Sequence, residues 1–284
     1  SHMVKIISDS TCDLSPELIA KYDIDILPLH ILLGEDEYED GRNITPQQIY
    51  DWSDAHKTTP KTSAPSLAEA IDLFRPYIEE KRELVCFSIS GSMSTSGNVM
   101  RLAAEELEAS DLVTVVDSAN LSTGIGLLVI EAAIMAEKGQ SAAEIAATIA
   151  SLKPNVRASF VVDTLTYLYR GGRCNAVSAM AGGVLRLHPK IVVENGAMDA
   201  SKKYRGKINS VIMSYVKDME EDLKSARPER VFITHSGCDR TTVDAVRSYL
   251  ESLGIFHEIL ETRAGGVVSS HCGPGTLGVL FIAK

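Results

Sequence analysis

The chain has 284 residues, a formal net charge of −10 and a sequence pI near 5.2. With 45% hydrophobic and 23% charged residues, it has the composition of a globular protein, which excludes a disordered or fibrous class. An acidic chain also lacks the general basic face that a phosphate-backbone binder needs, so neither nucleic acid nor an anionic membrane surface is an expected partner.

Ser1-His2 before Met3 reads as a cloning remnant, and no signal-peptide pattern follows it. Val4-Lys5-Ile6-Ile7 reads as a strand that runs out into Ser8-Asp9-Ser10-Thr11. Ser15-Pro16 then opens a helix, with a capping residue before a proline at the first helical position. A second strand is expected over 24–33. Thr45-Pro46-Gln47-Gln48 opens the next helix with a capping box, and Ser66-Leu67-Ala68-Glu69 opens another. Strands over 84–89 and 112–116 follow. Continuous Val/Ile/Leu runs of this kind suit strands buried on both faces, as in a parallel sheet. Residues 125–136 form the longest apolar stretch. Glu131 interrupts it, and it is too short to span a bilayer. Ser141 caps the helix that closes this half.

From 154 onward the pattern loosens. Strands are expected over 159–162 and from Lys190 to an Asn195-Gly196 hairpin turn. A helix over 208–225, a strand over 231–234, a helix over 241–253 and strands over 256–260 and 278–283 complete the chain. Alternating strands and helices predict an α/β fold. It divides into an N-terminal parallel-sheet α/β domain over 3–153 and a smaller C-terminal α/β domain of α+β character over 154–284. Five cysteines, an odd number without any C-x-x-C pair, fit a reducing compartment and a cytoplasmic protein. Without paired Cys and His ligand spacing, no zinc site is expected.

Four segments carry candidate chemistry. Thr62-Ser63-Ala64-Pro65-Ser66 lies at a helix start, where backbone N–H groups favour an anion. Ser88-Ile89-Ser90-Gly91-Ser92-Met93-Ser94-Thr95-Ser96-Gly97 leads from a buried strand into a helix, with enough hydroxyls to surround an oxyanion. Ser269-Ser270-His271-Cys272-Gly273-Pro274-Gly275-Thr276 sets a histidine beside a rigid Gly-Pro-Gly turn. Arg170-Gly171-Gly172-Arg173, with Lys202, Lys203, Arg205 and Lys207 further on, concentrates positive charge that could meet a phosphate or an acidic partner. There is no G-x-x-x-x-G-K-[ST] loop, no G-x-G-x-x-G after the first strand and no G-x-S-x-G elbow. That weighs against an autonomous kinase or dehydrogenase. A serine hydrolase using Ser94 and His271 with Asp9 or Asp117 remains an alternative from the residue types alone.

Taken together, these segments resemble the DegV family. The resemblance is carried by Asp9-Ser10-Thr11, Thr62-Ser63 before Pro65-Ser66, the serine-rich turn through Ser94, and Gly171-Gly172-Arg173. His188-Pro189-Lys190-Ile191 before Asn195-Gly196 and His271-x-Gly273-Pro274-Gly275 complete it. It implies two α/β domains with a long-chain fatty acid bound between them. It implies no cofactor and no catalysis by this chain alone. The best-understood members are binding subunits of bacterial fatty acid kinase. They present the carboxylate to a separate ATP-binding subunit, giving acyl-phosphate for phospholipid synthesis. By position, Thr62, Ser94 and His271 match the residues at the carboxylate, with Ser63, Ser96 and Gly273 supporting. Arg173 and Arg205 match positions linked to docking of the kinase subunit, and Arg170 neighbours them. The family turn reads Ser-Gly-Thr-Tyr where this chain has Ser94-Thr95-Ser96-Gly97. A two-residue slip would give the role of Ser94 to Ser96. A regulatory lipid binder without a kinase partner is a further alternative. The acyl chain favours an apolar tunnel, at about 0.8 kcal/mol per buried methylene, and the helix over 125–136 supplies candidate lining as well as core.

Overall fold

A computed structural model describes residues 3–175 and 187–284; Ser1 and His2 lie outside the described residues. Strand β1 (Lys5–Asp9) is followed by helix α1 (Pro16–Lys21), whose cap Ser15 Oγ accepts from Leu18 N at 3.2 Å. Strand β2 (Asp25–Leu27) then pairs in parallel with β1. The single strand expected over 24–33 is corrected here. Pro28 has no N–H for the ladder, and Leu29 N donates instead to Ser10 Oγ at 3.0 Å. The chain leaves the parallel sheet and forms β3 (His30–Leu33), which pairs antiparallel with β4 (Asp36–Glu39) and β5 (Lys61–Ser63) in a sheet of its own. Helix α2 (Pro46–His56) connects β4 to β5. Its predicted capping box is present: Gln48 N donates to Thr45 Oγ1 at 3.2 Å, and Thr45 N donates to Gln48 Oε1 at 2.8 Å.

Helix α3 (Leu67–Glu79), strand β6 (Leu84–Ser88), helix α4 (Ser96–Glu106), strand β7 (Val113–Asp117), helix α5 (Thr123–Glu137) and helix α6 (Ala142–Leu152) complete this half. The sheet has the order β2-β1-β6-β7, all parallel. Period-two alternation divides its side chains between two cores. Ile7, Leu84 and Cys86 pack with Phe74 and Met100 from α3 and α4, whereas Ile6, Val85 and Phe87 pack with α5.

Among the described residues the remaining helices and strands are β8 (Val156–Arg157), β9 (Ser159–Val161), α7 (Thr166–Gly171), β10 (Leu187–Glu194), β11 (Ala197–Arg205), α8 (Ile208–Asp218), α9 (Glu220–Lys224), β12 (Arg230–His235), α10 (Arg240–Ser252), β13 (Glu258–Arg263), α11 (Gly266–Cys272) and β14 (Leu277–Ile282). The helix expected over 208–225 is two helices that meet at Met219. The second sheet runs β11-β10-β9-β14-β12-β13, with β8 on β14, and among the described residues only its β12–β13 pair is parallel. The protein is thus a mixed α/β structure with a parallel-sheet domain and a second α/β domain.

Helix α5 explains its own composition. It packs on β1 and β6 of the parallel sheet and on β14 of the second sheet, in one buried cluster that includes Ile6, Val85, Phe87 and Leu280. A helix enclosed between two sheets has no solvent face to reserve for polar residues, so it reads as apolar all round. Among the described residues no helix is long and apolar enough to cross a membrane.

Candidate functional site

The end of β5 and the turn that follows β6 face α11 across a cavity of about 480 Å³, within the roughly 300–1,000 Å³ usual for small-molecule sites. Its walls include Leu29, Ile89, Met93, Leu121, Met198, Val267 and Val268, with Thr62, Ser94, Arg173 and His271 among them. No residue of α5 lines it. A larger cavity, about 760 Å³, lies at β8 and β10, but Lys153, Arg157, Lys190, Glu194 and Asp222 line it. That charged lining does not suit an acyl chain.

Thr62 and His271, 209 residues apart, are hydrogen-bonded between Oγ1 and Nε2 at 2.8 Å. Thr62 lies on β5, and its partner in the ladder is Ile31 of β3. His271 sits in the last turn of α11, not in the Gly-Pro-Gly loop itself; Gly273, at φ +75°, ends the helix just after it. Burial, reinforced by the positive charge of Arg173, lowers the His271 pKa from 6.5 to about 4. The ring is therefore neutral near pH 7, carrying one N–H. Its Nδ1 is buried and has no hydrogen-bond partner among the described residues.

Two carboxylates hold the helix that carries His271. Asp13 accepts from Gly265 N at 3.0 Å and Ser122 Oγ at 2.6 Å. Asp40 accepts from Gly266 N at 2.9 Å and Ser10 Oγ at 2.7 Å. Acidic groups at a helix N-terminus take up its unpaired N–H groups. Burial raises both pKa values, that of Asp40 to about 6. Neither residue carried a motif signal in the sequence, because each acts through a contact more than 200 residues away.

The serine-rich turn divides its hydroxyls among several tasks. Ser90 Oγ donates to Gly196 O at 2.6 Å and Ser92 Oγ to the same carbonyl at 2.5 Å, fastening the turn to the β10–β11 hairpin. Ser96, fully buried, donates to Asp9 Oδ2 at 2.9 Å. Ser94 and Thr95 line the cavity, and Ser94 Oγ accepts from Ser96 N at 3.2 Å. Ser63 also lines the cavity, whereas Ser96 and Gly273 do not.

Arg173 lines the cavity and donates through Nη1 to Gly171 O at 2.8 Å. Arg170 and Arg205 are exposed. Arg205 ends β11 seven residues beyond the cavity residue Met198, roughly 23 Å along an extended strand.

The hydrolase geometry is not assembled. Asp9 accepts from Thr11 N, Ile89 N and Ser96 Oγ. Asp117 accepts from Gly91 N and Ala119 N. Neither reaches His271 Nδ1, and His271 Nε2 faces Thr62 instead of Ser94. A serine nucleophile needs a base on its hydroxyl and an orienting group behind that base.

The sequence profile of a family described as an uncharacterised protein, DegV family, matches residues 3–284. The chain belongs to the DegV family. A DegV domain-containing protein of Deinococcus radiodurans is 34% identical over 278 residues, covering 97% of each chain. A fatty-acid-binding DegV family protein of Thermus thermophilus superposes with a TM-score of 0.89 at 30% identity, over 99% of this chain and all of that one. A stearic-acid-binding protein of Eubacterium ventriosum gives a TM-score of 0.85 at 31% identity, over 99% of each chain.

Proposed function

We propose that this DegV protein binds a long-chain fatty acid, with the acyl chain in the 480 Å³ cavity and the carboxylate at Thr62, Ser94 and His271. The Thr62–His271 hydrogen bond in the wall of a mainly apolar cavity carries this reading. Fatty-acid binding by relatives that match along the whole chain supports it. A buried carboxylate needs hydrogen-bond donors. One hydrogen is spent within the Thr62–His271 pair, so the pair's remaining hydrogen and the Ser94 hydroxyl would supply two donors, with the Arg173 guanidinium providing opposite charge nearby. Each buried methylene adds about 0.8 kcal/mol, so the chain supplies affinity and the polar wall fixes orientation.

We further propose that the bound acid is presented to a separate ATP-dependent kinase subunit, which forms the acyl-phosphate, while this chain catalyses nothing alone. The missing phosphate-binding loop and the place of Arg173 beside the carboxylate site support that division of labour. Arg173, with exposed Arg205 and Arg170, would receive the partner.

Calorimetric titration with palmitate tests the binding site. Thr62→Ala and His271→Ala should each weaken binding tenfold or more, and wild-type affinity in both would remove the head-group assignment. Arg205→Glu tests docking. It should lower kinase-dependent phosphorylation while leaving palmitate affinity unchanged, and unchanged phosphorylation would favour a lipid binder that meets no kinase.

A further inference from the structure

On the three-stranded sheet, Ile31 of β3 and Thr62 of β5 are ladder partners, so they share one face. The opposite face carries a different cluster. His30 lies directly across from Glu39, with Glu37 two residues along the same face. Cross-strand partners stand about 5 Å apart at Cβ, close enough for joint coordination. Glu69, in the first turn of α3, completes the group. One ligand atom from each of His30, Glu39 and Glu69 falls within 4.8 Å of the others.

The imidazole is engaged on both nitrogens. Nδ1 lies 2.7 Å from Glu37 Oε1, and Nε2 lies 2.8 Å from Glu69 Oε1. A neutral imidazole has one N–H, so it can serve only one of two carboxylates. Both are served if the ring is an imidazolium, or if a metal ion replaces the Nε2 proton, for which Nε2 and Glu69 Oε1 part to roughly 3.3 Å, the spacing of two ligands about 2.0 Å from a tetrahedral zinc. Three further observations favour the ion. Two carboxylates contact the imidazole and a third, Glu39, stands near it paired to Arg42, so three negative charges meet two positive ones even with the ring protonated. Glu69 Oε2 is buried and has no hydrogen-bond partner among the described residues. Glu37 on Nδ1 reproduces the carboxylate–histidine arrangement that orients a metal-bound imidazole through its far nitrogen. Arg42 occupies Oε2 of Glu39 at 3.0 Å, which leaves Oε1 for a ligand.

We propose that His30 Nε2, Glu39 and Glu69 bind one divalent cation, with Glu37 orienting the ring. One imidazole nitrogen and two carboxylate oxygens form a donor set suited to zinc, with a fourth position open to water. The ion would tie the β3–β4 hairpin to α3, which follows the strand β5 that carries Thr62 and Ser63. The spacing of Cys and His in the chain gave no sign of this site, because strand register and not sequence proximity brings its members together. The proposal is independent of the fatty-acid reading.

The test is titration of chelator-treated protein with zinc chloride by calorimetry, with thermal unfolding measured alongside. Wild type should take up one equivalent and gain thermal stability. His30→Gln and Glu69→Gln should each bind at least tenfold more weakly and lose that gain. Glu39→Gln, at a partly exposed position, repeats the test if either variant fails to fold. Absence of uptake by wild type would overturn the proposal, as would unchanged uptake in the variants. Tighter binding of calcium than of zinc would overturn the zinc assignment.

Discussion

Gly171 packs against the ring of His271: a Cβ added to Gly171 would stand 2.5 Å from Nδ1. The end of α7 therefore leaves room for the imidazole only because residue 171 has no side chain. Gly171→Ala should push the ring away and stretch its 2.8 Å bond to Thr62. Palmitate affinity should fall about tenfold, by loss of one oriented donor worth roughly 1.4 kcal/mol, while the circular dichroism spectrum stays unchanged. Wild-type affinity in this variant would mean that the ring position does not matter for binding.

Ser94 and Ser96 should separate cleanly. Ser96 is buried on Asp9, and Ser94 faces the cavity. Ser96→Ala leaves a buried carboxylate short of a donor and should lower unfolding free energy by about 1–3 kcal/mol, with little change in palmitate affinity. Ser94→Ala should do the reverse. Urea denaturation and calorimetry on both variants give the comparison, and the opposite pattern would transfer the head-group role to Ser96.

Two groups at the site give opposite pH dependences. Unfolded histidine takes a proton below about pH 6.5, whereas folded His271 does so only near pH 4. Across that interval the unfolded state holds more protons, so the contribution of His271 to stability falls as pH falls. Asp40 is raised from 3.8 to about 6. Between those values the folded state holds the extra proton, so its contribution falls as pH rises. Asp40→Asn removes the second slope. Its unfolding free energy should match wild type near pH 4 and rise more steeply toward pH 6, by up to about 1.4 kcal/mol per pH unit. Parallel curves in urea denaturation would contradict the assigned pKa.

Asp13 anchors the same helix through Gly265 N and Ser122 Oγ. Asp13→Ala strands both donors in a buried setting and should destabilise the protein by about 2–4 kcal/mol. It should weaken palmitate binding as well, since His271 lies on that helix. Loss of stability without loss of affinity, measured below the unfolding transition, would show that α11 holds its position without Asp13.

The parallel strands were legible because β1 and β6 are buried on both faces and use continuous apolar residues. The helix starts were legible because Ser15, Thr45, Ser66 and Ser141 cap locally, within three residues. What the sequence hid depends on distant contacts. Lys61-Thr62-Ser63 has no apolar alternation, and it is a strand only because β3 lies beside it. The all-apolar helix at 125–136 suggested tunnel lining as well as core, and its packing against both sheets is not visible in the sequence. The hydroxyl-rich turn suggested one oxyanion cradle, whereas Ser90, Ser92 and Ser96 hold the turn itself in place. Among the candidates, Thr62, Ser63, Ser94, Arg173 and His271 share one cavity.

Mass spectrometry of an organic extract from the gently purified, denatured protein tests the central claim most directly. The account predicts one long-chain fatty acid per chain in wild type and a reduced amount in the Thr62→Ala, His271→Ala double variant. A blank extract from wild type, with no uptake of added palmitate, would contradict it.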